Sequence, residues 1–224
     1  MQSPTTTTYT SLTTAYDYFN RELFAGTLPP CLITMQRHKG SYGYFSGARF
    51  QNTANQEEVI DEIALNPAHF ATRTPEQVFS TLVHEMVHLW QHHFGTPPRK
   101  SYHDRQWALN MRQIGLIPTA TGEHGGKETG QKMAHLIEEG GHFQRACASL
   151  LTLHPAILYS DRGIAEEEKR KKKLASKTKY TCPSCGLNAW AKPNAPLVCG
   201  DCQVPLESEA NETIAASVSG TGEA

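Results

Sequence analysis

The chain has 224 residues, enough for one catalytic-sized domain and a small appendage. Hydrophobic residues make up 38%, charged residues 19%, and the net charge is -1, a globular profile that excludes a uniformly basic protein. The N-terminus lacks a basic n-region and an apolar core, and no later stretch approaches a span of about 18 apolar residues, so the expectation is a soluble, cytoplasmic protein without a membrane partner.

In chain order, the Thr-rich residues 1–11 read as a disordered tail. Residues 12–160 read as one folded unit that opens with a helix, SLTTAYDYFNREL, whose Leu12, Ala15, Tyr16 and Phe19 recur at helical spacing. Strands are predicted at 31–36, 43–50 and 59–65, separated by turn-like HKGS and NTAN. A strong helix follows at 75–94, with Thr74 as N-cap, Pro75 at the first position, Gln77 completing a capping box and Gly95 at the exit. A second helix is expected at 105–114 with Asp104 as cap. Next come an irregular Gly- and Thr-rich segment at 119–131, a strand at 132–137 and a helix at 142–153. Residues 161–180 read as a charged helical linker, 181–206 as a Cys-punctuated module and 207–224 as a disordered tail. There are no internal repeats.

The helix at 75–94 carries HEMVH. Residues four apart on a helix differ by about 40° in direction and about 6 Å in height, so His84 and His88 can hold one metal between them, with Glu85 beside that face. Zinc in such a clamp lowers the pKa of a water to about 7, and Glu85 is the expected general base for its attack on a peptide carbonyl. A catalytic zinc takes three protein ligands and keeps one open position. His92 and His93 are poorly placed to supply the third and read as exposed residues in the last helical turn. His103 is favoured, because PPRKSYHD lets the chain turn back to the metal. Spacing leaves His124, His135, His142, Glu138 and Glu139 open.

The run STLVHEMVHLWQHHFGTPPRKSYHDRQWALNMRQIGL, together with AYDYFNRELFAGTLPP and EIALNPAHF upstream, resembles the SprT-like metallopeptidase family over roughly residues 12–117. That resemblance implies a zincin-like α+β fold, a small mixed sheet packed on the HExxH helix. It also implies His103 as third zinc ligand, with Trp107 on the following helix. Where family members commonly carry Gly after this His, the present chain has Asp104. In zincins an edge strand above the metal helix pairs with extended substrate, a role open to the strand at 43–50 or at 59–65.

Cys182, Cys185, Cys199 and Cys202 form two Cys-x-x-Cys knuckles that can close a second, structural zinc site, and Gly186 and Gly200 suit the tight turns. SprT-like proteins often carry such a ribbon. Cys31 and Cys147 read as inert. Residues 161–180 have a local net charge of +4, which leaves -5 for the rest of the chain. Within them Lys169, Arg170, Lys171, Lys172, Lys173, Lys177 and Lys179 form either a patch for nucleic-acid phosphates or a solvated linker; the resemblance, through its DNA-bound protein substrates, favours the patch.

The expectation is therefore an endopeptidase with one catalytic and one structural Zn2+, acting on protein substrates associated with or crosslinked to DNA. The alternative is a nucleic-acid-binding or regulatory zinc protein with weak or no proteolysis. An intact Glu85 favours the first, since a purely structural zinc does not need it.

Overall fold

The computed structural model describes residues 3–99, 102–154, 157, 159–162 and 177–208. By internal contacts the chain divides into two compact units, with the division after Arg162.

The first unit opens with α1 (Pro4–Phe24). It starts earlier than the predicted tail allows, because Ser3 caps it by accepting from the Thr6 amide and Pro4 takes a first-turn position where its missing N–H costs nothing. Thr8 is already buried, and α1 ends at Ala25 in the left-handed conformation. Tyr16 donates to the Pro29 carbonyl at 2.5 Å, and Asn20 bonds both the amide and the carbonyl of Leu28, so the exit chain folds back along the helix.

Strands β1 (Leu32–Met35), β2 (Gly43–Gln51) and β3 (Val59–Leu65) form a mixed sheet in the order β1-β3-β2, with β1 parallel and β2 antiparallel to β3. Of the two strands left open as the edge, β3 is therefore central and β2 marginal. The register of β2 shifts between Ser46 and Phe50, where Ala48 adopts a positive φ and donates its amide to Asp61. A short 3-10 turn, Pro67–Thr72, leads into α2 (Pro75–Phe94), whose reciprocal Thr74–Gln77 capping box forms as predicted.

α2 is the central element. Leu82, Val83, Met86, Val87 and Leu89 are fully buried, in one core with Phe19 of α1 and Ile63 and Leu65 of β3. α3 (Arg105–Gln113) contributes Trp107 and Met111 to that core, and α4 (His142–Leu153) contributes Phe143 and Leu150. The rings of Phe79 and Phe143 lie 5.9 and 5.6 Å from that of Phe19, so three helices meet on aromatic contacts. Between α3 and α4 stands a hairpin of β4 (Leu116–Thr119) and β5 (Ala134–Ile137). The sequence pattern predicted β5 but not β4, which is only four residues long and follows α3 after Gly115. Asp161, the predicted start of the linker, pairs with Arg37 at 2.5 Å, and its amide donates to the Pro67 carbonyl, so this residue belongs to the first unit.

The described part of the second unit is a three-stranded antiparallel sheet of β6 (Thr178–Thr181), β7 (Asn188–Ala191) and β8 (Glu207–Ser208), in the order β7-β6-β8. Pairing of β8 with β6 carries the module two residues past its predicted end at 206. Of the basic segment, Lys169, Arg170, Lys171, Lys172 and Lys173 lie outside the described residues, whereas Lys177 and Lys179 lie within them. No described helix is long and apolar enough to cross a membrane.

Candidate metal centres

His84 and His88 project from adjacent turns of α2, and His103 reaches them from the segment just before α3, so that one ring nitrogen from each lies within 4.8 Å of the others. The ring centroids of His84 and His103 are 5.4 Å apart, and those of His88 and His103 are 4.7 Å apart. Trp107 packs against all three rings and stacks on His88 at an interplanar angle of 21°. Its indole N–H is the one buried side-chain polar atom without a partner among the described residues, so the ring fills space beneath the imidazoles rather than bonding to them.

Two hydrogen bonds fix which nitrogens are free. Nδ1 of His103 lies 3.1 Å from the carbonyl of Gly130, which can only accept; Nδ1 therefore carries the proton and Nε2 keeps its lone pair. The same contact forms a small β-bridge, in which the amides of His103 and Gly130 donate to each other's carbonyls at 2.7 and 3.0 Å. The Gly-rich segment thus orients His103.

His84 is fixed by a longer chain. Ser80 donates its hydroxyl proton to the Gln77 carbonyl at 2.9 Å, so its oxygen must accept from Nε2–H of His135 at 2.8 Å. His135 then offers a bare Nδ1 to Nδ1–H of His84 at 3.1 Å, which leaves Nε2 of His84 unprotonated. Burial keeps these rings neutral: it depresses His84 well below the imidazole range, His88 to about 3 and His135 to about 4, and it also lowers His103. Three neutral imidazoles with converging lone pairs fit a zinc ion that keeps an open fourth position.

Glu85 is buried beside this cluster. Loss of solvent pushes its carboxyl up to about 8, opposed by the Phe45 backbone amide that donates to it. β2 is close enough to do so because position 43 is glycine: a Cβ there would lie 2.8 Å from the Ala64 carbonyl oxygen, 2.9 Å from Cγ2 of Thr81 and 3.3 Å from Oε1 of Glu85. The imidazoles and Glu85 line a cavity of about 980 Å³, bordered on one side by Gly43 to Gly47 of β2 and on another by the β4–β5 hairpin.

Asp104, which replaces the expected glycine, has an extended backbone at φ -91° and caps α3 by accepting from the Trp107 amide. The same oxygen accepts from Nε2 of Gln91 at 2.8 Å, which ties the segment carrying His103 to α2. No left-handed residue is required there. His93 is not a bystander at the helix end: its Nε2 lies 2.6 Å from the buried Asp61 carboxylate. His92 packs near Phe45 and over Gly47, where a Cβ would come within 2.7 Å of its ring. His124, His142, Glu138 and Glu139 take no part in the three-imidazole group, whereas His135 stands behind it.

In the second unit the sulfur atoms of Cys182, Cys185, Cys199 and Cys202 lie within 4.8 Å of one another, and this cluster could form a zinc site. Each knuckle closes with the same bond: the amide of Gly186 donates to the Cys182 carbonyl and that of Gln203 to the Cys199 carbonyl, both at 2.9 Å. The left-handed positions are accordingly Gly186 at φ 74° and Gln203 at φ 54°; the second tight turn falls on Gln203 and not on Gly200. The Cys185 amide, donated to sulfur, draws the Cys182 thiol down to about 7. Burial instead raises Cys31 and Cys147 to about 12, which suits inert thiols.

Comparison with known proteins gives a curated relative and a family. A 47-residue segment is 60% identical to a Salmonella typhimurium protein described as an uncharacterized protein in the mucB 3' region. The match takes in 21% of the present chain and 64% of that relative's length. The family model described as SprT-like matches residues 12–124, half of the chain, from within α1 through the HEMVH helix and His103. The chain therefore belongs to the SprT-like family.

Proposed function

We propose that the protein is a zinc-dependent endopeptidase with a zincin-like catalytic domain and a zinc ribbon. Membership of the SprT-like family suggests a metallopeptidase-like function. The observation that carries the finer reading is the buried Glu85 beside three neutral, convergent imidazoles, at a cavity bordered by an edge strand. Nε2 of His84 and of His103, with a nitrogen of His88, would hold the metal. When bound, zinc supplies Lewis acidity toward the scissile carbonyl and toward water. Glu85 accepts the proton of the attacking water and returns it to the departing amine, and the Phe45 amide holds its carboxylate in place. The edge of β2 hydrogen-bonds the backbone of an extended substrate, which gives affinity with little demand on sequence. The Cys cluster would hold a second zinc that keeps the ribbon folded.

DNA-associated proteins are the proposed substrates, supported by the basic run that includes Lys177 and Lys179 ahead of the ribbon. The test is cleavage of a DNA-binding protein, with and without DNA, by wild type and by Glu85→Gln. Zinc-dependent cleavage lost in Glu85→Gln is expected; equal activity of the two excludes Glu85 as base. A protein that binds one zinc per chain, at the cysteines alone, removes the catalytic reading.

A further inference from the structure

Arg73 lines the same cavity as the imidazoles and Glu85 but takes no part in the chemistry assigned to them. It stands between the 3-10 turn and the capped start of α2, in extended backbone at φ -124° and ψ 150°, so its stem is held by ordered structure on both sides. The guanidinium is half-buried, donates to Oγ1 of Thr81 at 2.8 Å and lies 4.2 Å over the Tyr42 ring. A guanidinium carries five N–H donors. Among the described residues this one bond is its whole side-chain hydrogen bonding, and no carboxylate pairs with it.

Removal of a cation from water without an anion is unfavourable, and arginine's forked donors match a carboxylate in two-point contact. The cavity wall supplies no such anion. Its charged side chains besides the histidines are Arg73, Arg99, Lys132 and Glu85, and among the described residues no ion pair joins Glu85 to Arg73. The wall therefore has an excess of positive charge even before a metal is counted.

Thr81, which anchors Arg73, is one helical turn from Glu85, about 6 Å along the axis. An extended peptide advances about 3.3 Å per residue, so an anion at Arg73 sits within about two residues of a bond opposite Glu85.

We propose that Arg73 is a specificity-determining residue that receives a peptide carboxylate within about two residues of the scissile bond, from an Asp or Glu side chain or from the substrate's C-terminus. This rests on the peptidase reading of the cavity.

The test uses the full-length, zinc-loaded protein on a peptide library, with cleavage sites read by mass spectrometry. Matched Glu and Gln peptides, with free or amidated C-termini, then give kcat/KM. Wild type is expected to enrich acidic residues near the cut and to favour the Glu peptide roughly tenfold or more, the range for a charged hydrogen bond. Arg73→Met collapses that Glu-to-Gln ratio toward one, Arg73→Lys keeps part of it, and Arg73→Glu turns the preference to Lys. A preference that amidation abolishes assigns the carboxylate to the chain end.

Absence of acidic enrichment in wild type, or its persistence in a folded Arg73→Met protein, overturns the proposal. So does inhibition by a single-stranded oligonucleotide that depends on Arg73 without any peptide preference. A binding arm separates this proposal from the peptidase reading: zinc-loaded Glu85→Gln is titrated with labelled Glu and Gln peptides by fluorescence anisotropy. Selective, Arg73-dependent binding by Glu85→Gln, with a zinc-loaded wild type that cleaves nothing, removes the peptidase and keeps the subsite; unselective binding by Glu85→Gln, with an active wild type, does the reverse.

Discussion

The three-histidine group and the four-cysteine group, both candidate metal sites, are built by opposite means. In the first unit, His84, His88 and His103 sit on a core that contains Phe19, Leu82, Met86, Trp107 and Phe143, and hydrogen bonds fix two of the three rings. In the second, the buried apolar residues among those described are Tyr180, Cys182 and Cys199, two of them candidate ligands themselves. Protein packing thus holds the histidine group in place, whereas the proposed zinc would be the main support of the cysteine group. A catalytic ion must leave a position open and hold its geometry through turnover, which needs a rigid surround; a structural ion needs only closure.

Metal removal gives the largest expected effect. Chelation, or Cys182→Ser, unfolds the ribbon, because a structural zinc contributes on the order of 10 kcal/mol to so small a module. The first unit keeps its fold. Circular dichroism, together with the emission of Trp190, which is 63% exposed in the ribbon, follows the two units separately; their loss in one transition breaks the comparison.

Glu85→Gln comes next, with an expected loss of about 100- to 10,000-fold in kcat and no loss of zinc, since this side chain is assigned to proton transfer and not to ligation. Paired measurement of zinc content and turnover checks it.

His135→Ala removes the acceptor of the His84 Nδ1 proton and should weaken zinc binding at the histidine group about 10- to 100-fold, read by competition with a chromogenic chelator. Ribbon zinc is unaffected. Equal affinity in the variant would mean that the core alone orients His84. Gly43→Ala presses a methyl group on the Ala64 carbonyl and Thr81 and should cost about 1–3 kcal/mol in urea denaturation, with α2 and β2 pushed apart.

The smallest effect is one of pH. Cys31 and Cys147 have folded-state values near 12 against 9.0 for a free thiol. The unfolded chain then loses these protons first, so their stabilisation is complete below about pH 9 and declines as pH rises toward 12. Iodoacetamide should alkylate Cys31 and Cys147 only as the first unit unfolds, as peptide mapping would show.

The parts of the protein legible in the sequence obey short-range rules. Thr74, Pro75, Gln77 and Gly95 mark both ends of α2, because caps act within one turn. The four-residue step from His84 to His88 and the paired Cys-x-x-Cys spacings bring ligands together through local backbone geometry alone. His103 was favoured by a chain reversal, and resemblance to the SprT-like family added the rest. The N-terminus was misread because Ser3 and Pro4 can start a helix only if something accepts its buried face, and Thr8 and Leu12 meet that condition in the fold.

What only the tertiary structure decided are the contacts that span long stretches of chain. The edge position of β2 depends on strand order, to which the alternation of residues within a strand is blind. His135 meets His84 across 51 residues, Gly130 meets His103 across 27, and Arg73 pairs with no carboxylate among the described residues. By itself the sequence offered side chains of metal-binding type at the right spacing and a carboxylate beside them. The fold decided which imidazole nitrogens keep a free lone pair, which strand borders the cavity and where, among the described residues, positive charge is left unpaired, since each depends on elements that approach one another only when the core closes.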